Sequence, residues 1–284
     1  MSARSEIEET LAEYSDAGET NTHKIYVPTR GRADLKGYTI SALEESGLDY
    51  YLVVEPQEYG VYCEHHDSKR ILRMEESGQG VAYVRNFCKE HSISRGDSHH
   101  WQIDDNIKNF AKRIGTKNVP CAARDCIVPV EKAVSRYENI GLAGLSHSLF
   151  AFSKAHSIDI NKQIYSCFLV DNDVKCRWRP RTVEDTDYSL QVLAAGFSTV
   201  MFNRLLINKA ATMTIKGGNT DTEYADQGRM IRSLQLQKDW PQANFKIGFK
   251  HNRVKVFPST VWRTFTQVPV KRGETTMSIE DFLK

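Results

Sequence analysis

His100-Trp101-Gln102-Ile103-Asp104-Asp105-Asn106-Ile107 decides how the chain is read. The β-rich run through Trp101 and Ile103 predicts a strand that stops where two carboxylates and an amide follow in succession. Oxygen donors grouped in this way suit a hard divalent cation. They equally suit a helix N-terminus, where a cap and first-turn acids are favoured by the backbone dipole. Upstream, a helix is expected over residues 81–92, short strands at Ile71 to Met74 and Tyr50 to Val54, and a helix over 33–47 that closes on Gly47. A first strand is expected at His23 to Pro28. Strands alternating with helices through short links predict βαβ units and a largely parallel sheet. Ligands of such sheets bind outside the carboxyl ends of the strands. Thr29 to Arg32, Glu55 to Tyr59 and Asp104 to Asn106 are therefore the polar segments of interest.

Downstream of the acidic pair, helical spacing over 129–139 leads into an apolar run from Ile140 to Leu145. Strands are expected at Ile164 to Val170 and Thr199 to Leu206, flanking a helix over 185–195 that ends on Gly196. A glycine-rich loop, a helix over 222–236 and a last β-run from Asn244 to Phe249 complete the second half.

Composition bounds the function classes. The 284 residues are 40% hydrophobic and 26% charged, as in an ordinary globular protein with one large α/β domain. No apolar run reaches the ~18 residues that span a bilayer, and no signal-peptide pattern opens the chain. No membrane association and a cytoplasmic location are expected. The six cysteines form no C-x-x-C pair, which points away from a structural zinc site and towards a reducing compartment. A net charge of +2 is far below that of a dedicated DNA-binding domain. Local groups such as Arg177, Arg179 and Arg181 can still form a basic patch. Residues 1–22 are polar and acidic and are expected to be a flexible tail or a short frayed helix, and 259–284 are read as a C-terminal extension.

Three further segments carry candidate chemistry. Glu184-Asp185-Thr186-Asp187 sets three carboxylates at the head of a helix. Their mutual repulsion can lift one towards the range of a general base, although acids there also serve as a cap. Lys216-Gly217-Gly218-Asn219-Thr220-Asp221 and Pro28-Thr29-Arg30-Gly31-Arg32 can each bring backbone N–H groups to an anion. Trp178 is either a base-stacking platform or a core residue.

Taken in order, these motifs resemble the DNA-modifying glycosyltransferases associated with TET/JBP hydroxylases, a family of phage enzymes and relatives of the base J glucosyltransferase. The likeness is carried by Val53-Val54-Glu55-Pro56-Gln57-Glu58-Tyr59, Arg85-Asn86-Phe87 and the strand ending in Asp104-Asp105-Asn106. Further on it is carried by Tyr137-Glu138-Asn139-Ile140, Trp178-Arg179, the acidic helix head with Leu190-Gln191, and Gly217-Gly218-Asn219-Thr220-Asp221 with Tyr224. It implies a GT-A type glycosyltransferase fold over 23–258, with a Rossmann-like nucleotide-binding half over about 23–125 and an acceptor-binding half over about 126–258. It implies a UDP-sugar donor, of glucose or N-acetylglucosamine type, and a divalent cation, Mn²⁺ or Mg²⁺. The implied acceptor is a 5-hydroxymethylpyrimidine in DNA, made by a TET/JBP-type hydroxylase. Carried onto this chain, Pro28, Thr29, Arg30, Arg32, Glu55, Arg85, Asn86, Asp104, Gly217, Gly218 and Asn219 would line the donor. Asp105, Asp104 and His251 would hold the metal. Asp185, with Glu184 second, would be the base, and Trp178, Arg179 and Arg181 would meet DNA. The chain departs from the pattern at Val183, where relatives tend to have Asn, and at His251-Asn252, where they tend to pair two histidines.

Overall fold

The computed structural model describes residues 3–12, 20–35, 37–210, 217, 228–250, 253–257 and 259–273. Four strands, β1 (Ile25–Pro28), β2 (Tyr50–Val54), β3 (Ile71–Arg73) and β4 (His99–Ile103), pair in the order β3-β2-β1-β4, all parallel. Tyr26 and Val53 point to one side of this sheet, Ile25, Val27, Leu52 and Val54 to the other. Strands apolar on both faces must be covered on both, as their βαβ connections provide. Helices α2 (Thr39–Glu45) and α5 (Arg124–Val134) cover one face; α4 (Val81–Ser94) and α7 (Glu184–Ala194) cover the other. The short α3 (Tyr59–His65) links β2 to β3.

The second half of the sheet is mixed, where a largely parallel one was expected. β9 (Cys167–Asp171) enters antiparallel between β4 and β7 (Ile140–His147), and β10 (Ser198–Lys209) is again parallel to β7. β5 (Ile107–Ile114) and β6 (Lys117–Cys121) form a hairpin on the far half of β10, and β8 (Ile158–Ile160) pairs with its first half. This direction of pairing matters. It puts the ends of β1, β2, β4, β7 and β10, and the start of β9, on one edge of the sheet.

Several boundaries differ from expectation. The helix expected over 129–139 is α5 at 124–134, because Pro129 lies inside it rather than in its first turn. The β5–β6 hairpin and β12 (Arg253–Phe257), which pairs with β11 (Lys246–Lys250), were not expected at all. Of the flexible tail or short frayed helix expected at residues 1–22, Ala3–Ala12 take the helix, α1, and it is docked rather than frayed free of the domain. Its Ile7 is fully buried in the main core, and Glu8 accepts a hydrogen bond from the Ser157 N–H at 3.1 Å. The short helix α6 (Ser148–Ala151) and helix α8 (Gly228–Asp239) complete the α-helices described. The C-terminal segment packs back on the domain through buried Val261 and backbone bonds from Glu138 to Val270 and from Arg272 to Arg136, both 2.8 Å. Among the described residues no helix is long and apolar enough to cross a membrane.

Candidate active site

Asp104-Asp105-Asn106 joins β4 to β5 through a turn, and no helix begins there. The helix-cap alternative is thereby removed, and the two carboxylates face different partners. Asp105 turns inward: Thr29 Oγ1 donates to its Oδ2 at 2.9 Å and the Arg32 guanidinium pairs with its Oδ1. Tyr62 from α3 ties the same cluster, its hydroxyl 2.9 Å from Thr29 Oγ1 and accepting from the Arg32 N–H at 3.1 Å. Burial raises the Asp105 carboxyl in spite of Arg32. Asp104 turns to the edge of the sheet and pairs with Arg85 at 3.3 Å and with Lys209. Burial works against its charge, but Lys209 and Arg85 outweigh it and hold the carboxyl at about 2.

Arg85, on α4 and 3% exposed, is the hub. Its guanidinium reaches Gln102 at 3.3 Å, Asp104 at 3.3 Å and Asp185 at 3.5 Å, and lies 4.9 Å above the Phe168 ring. Asp185 stands in the first turn of α7, its side chain 22% exposed. Burial and then the adjacent Glu184 push its carboxyl up to about 7, against the pull of Arg85. Glu184 itself is buried and paired with Arg232 of α8, which leaves Asp185 as the carboxylate directed at the hub. A half-ionised carboxylate beside a buried cation is suited to accept a proton near neutral pH.

The sequence profile of the TET-Associated Glycosyltransferase family matches residues 23–218, which span all the elements of this site except α8. The chain belongs to this family. As a TET-associated glycosyltransferase it has the α/β fold expected from its sequence. No curated protein matches it in sequence. Among solved structures it is similar to A197 from STIV, with 12% identity over 68% of this chain and 85% of that one and a TM-score of 0.37. It is also similar to GalNAc-T7 with UDP, GalNAc and Mn2+, at 7% identity and a TM-score of 0.42, over 66% of this chain and 43% of that one. At these scores the assignment stands on the family match.

The other residues picked from the sequence fall into three groups. Pro28 ends β1, and Thr29, Arg30, Arg32, Glu55 and Gly217 meet beyond that end. Arg30 pairs with Glu55 at 3.2 Å, Glu55 accepts from the Gly78 N–H at 2.7 Å, and Arg32 donates to the Gly217 carbonyl at 3.0 Å. A second group is structural in this glycosyltransferase. Both polar atoms of Asn86 are bonded to the backbone of Trp178, at 2.9 and 3.0 Å. Trp178 is 3% exposed and stacks on Tyr188 with ring centroids 3.7 Å apart, so the indole is core and offers no face to a base. Arg179 is held by the fully buried Asp187. Arg181 is exposed, with a φ of 58°. Gly218, Asn219 and His251 lie outside the described residues.

Sequence reading missed Lys209. A lone lysine closing an apolar strand carries no motif, and only the register shift between Asn208 and Lys209 turns it towards Asp104 and Ser166 Oγ, the latter at 3.1 Å. It also missed Tyr62, while Asn106 was read as an oxygen donor beside the acidic pair but not chosen as a ligand. Asn106 Oδ1 is buried without a hydrogen-bond partner, beside an edge-facing Asp104. An amide oxygen is a donor type suited to a hard divalent cation. Neither neighbouring carboxylate is free for one in this conformation: Thr29 and Arg32 hold both oxygens of Asp105, and Arg85 and Lys209 hold both oxygens of Asp104.

Gly217 has a φ of +78°, and a Cβ there would sit 2.5 Å from the Arg30 carbonyl oxygen and 3.0 Å from that of Gly31. Both obstacles are backbone, so Gly217→Ala is expected to displace the Arg30–Arg32 loop. Donor affinity, measured by calorimetry with UDP, is expected to fall at least tenfold while the Asp185-side residues keep their amide protection in hydrogen exchange.

Proposed function

We propose that this glycosyltransferase moves a sugar from a UDP-sugar to the hydroxymethyl group of 5-hydroxymethylcytosine or 5-hydroxymethyluracil in DNA. The observation that carries the reading is Asp185, raised to about 7 and 3.5 Å from an Arg85 that also grips Asp104. The acceptor-side base thus stands one guanidinium away from the donor-side cluster. The donor half, about 23–125, supplies Thr29, Arg30, Arg32, Glu55, Arg85 and Asp104. The acceptor half, about 126–258, supplies Asp185 and Lys209.

In this mechanism the Asp185 carboxylate takes the proton of the hydroxymethyl group. The freed oxygen bonds to the anomeric carbon of the sugar, and the bond from that carbon to the diphosphate oxygen breaks, releasing UDP. Arg85 and Lys209 meet the charge that develops on the leaving diphosphate, the larger contribution to rate in such a site. A divalent cation, Mn²⁺ or Mg²⁺, would add charge neutralisation there, held by Asp104 or Asp105 in place of the basic side chains that pair with them in this structure. Base removal of the proton adds ~10²–10⁴-fold. The hydroxymethyl group itself must come from an oxygenase of the TET/JBP type acting first on DNA.

The test is nucleoside mass spectrometry after incubation with Mn²⁺, mixed UDP-sugars and DNA containing hydroxymethylcytosine or hydroxymethyluracil. A hexose or N-acetylhexosamine increment on the modified nucleoside is expected. Release of UDP without any increment would keep the transferase and move its acceptor to a protein or small-molecule hydroxyl.

A further inference from the structure

Asp185 has a second side. Away from the Arg85 hub, the start of α7 forms one wall of a cavity of about 360 Å³ between α7, α8 and the β11–β12 hairpin. Asp185, Ser233, Phe245, Val256, Phe257 and Trp262 are among its lining residues. None of Thr29, Arg32, Arg85, Asp104 or Lys209 lines it. The donor-side cations and this cavity therefore share Asp185 as a neighbour.

Resting on the function proposed above, we propose that this cavity receives the acceptor pyrimidine, swung out of the DNA stack, with the Trp262 indole against its face. A base must touch the acceptor oxygen while that oxygen attacks a carbon next to the diphosphate, so the acceptor enters from the side of Asp185 opposite the donor cluster. The walls match a heteroaromatic ring. The lining combines aromatic and aliphatic side chains, Phe245, Val256 and Trp262, with polar Ser233 and Gln163, the mix needed to stack a flipped base and read its amide edge. A volume near the lower end of ligand pockets suits one nucleoside and excludes a duplex.

The rim matches a polyanion. The hairpin strands place Lys246 and Lys255 here, and Lys255 lines the cavity, in a chain whose net charge is only +2. Lys246 and Lys255 are exposed. Phosphates flanking an extruded nucleotide would find their counter-charge on this hairpin, next to the cavity mouth. With Trp178 buried in the core, Trp262 is the indole placed to stack.

The experiment is steady-state kinetics on a hydroxymethylcytosine oligonucleotide, single- and double-stranded, with the full chain. Trp262→Ala is expected to raise KM for the oligonucleotide on the order of 10–100-fold, the scale of one lost base stack. The donor KM is expected to move less than twofold, and Trp262→Phe to restore the oligonucleotide KM to within about threefold. Phe257→Ala, whose ring is 37% exposed, probes the same wall without opening the core and is expected to raise the oligonucleotide KM several-fold. Lys255→Glu is expected to reduce the slope of log KM against log salt by about one. A raised donor KM with the oligonucleotide KM unchanged would hand the cavity to the donor sugar and overturn the proposal, as would no change in either. If the wild-type chain glycosylates no hydroxymethylated DNA, the acceptor reading itself fails; if it does and these variants match it, only the cavity assignment fails.

Discussion

Asp185→Asn is expected to lower kcat 10²–10⁴-fold, the contribution of a positioned base, while leaving calorimetric binding of UDP within twofold. The amide keeps the shape of the carboxylate and its place in the first turn of α7, but accepts no proton. Two pH measurements make the assignment specific. In the wild type, kcat/KM is expected to rise tenfold per pH unit up to about 7 and then level, because only the ionised carboxylate is a base and its carboxyl is held near that value. The variant is expected to lose this limb. Stability moves in the opposite sense. The folded carboxyl, at about 7, lies well above its ordinary value of 3.8, so the folded state holds a proton that the unfolded chain has released. The contribution of Asp185 to wild-type stability therefore falls as pH rises from about 4 to 7 and is flat beyond. Asp185→Asn escapes that loss, so its Tm is expected to exceed the wild type by a few degrees at pH 8, with the gap closing below pH 4. Lost UDP binding would move Asp185 into the donor site and remove it as the base.

How much of this was legible in the sequence varies with the physical signal. β2 at Tyr50–Val54 and α7 at Glu184–Ala194 fall where expected, because an apolar β-branched run and a helix closed by Gly196 are local patterns. The β5–β6 hairpin escaped because its second strand, Lys117–Cys121, is mostly exposed and has no apolar alternation to read. The site divides in the same way. The acidic clusters and Arg85 are marked by unusual residue types at strand and helix ends. Which of two adjacent acids faces the site is not: Asp104 and Asp105 differ only in that Thr29 and Arg32 arrive from another strand to claim one of them. Lys209, Tyr62 and Trp262 are single residues in ordinary surroundings, and they acquire roles only through the register shift in β10, the seating of α3 and the return of the C-terminal segment. Trp178 shows the reverse error. An indole beside arginines looks like a DNA contact, yet Tyr188 lies flat on it inside the core.

Arg85→Met is expected to cost more than any other single substitution at the hub. The guanidinium is 3% exposed and stands between two carboxylates, with a third, Glu184, next in line. Burial works against its charge, but Asp185 and Asp104 more than offset that, so the cation is firmly held. Methionine fills much the same volume and leaves Asp185 facing Asp104 with only Lys209 to offset them. Removing one partner of a buried pair costs about 3–5 kcal/mol, which in a domain of this size lowers Tm by roughly 6–20 °C. The chemistry is expected to change in a direction that a merely destabilised protein would not show. Without the cation that opposes burial and Glu184, the Asp185 carboxyl rises further, and the pH at which kcat/KM levels moves above the wild-type value of about 7. Lysine is a poor substitute, because a point charge can neither fork towards Gln102, Asp104 and Asp185 together nor lie flat over Phe168. Arg85→Lys is therefore expected to regain much of the stability and little of the rate. A variant that lost stability while keeping the wild-type pH profile would make Arg85 a structural brace, with no hold on the base.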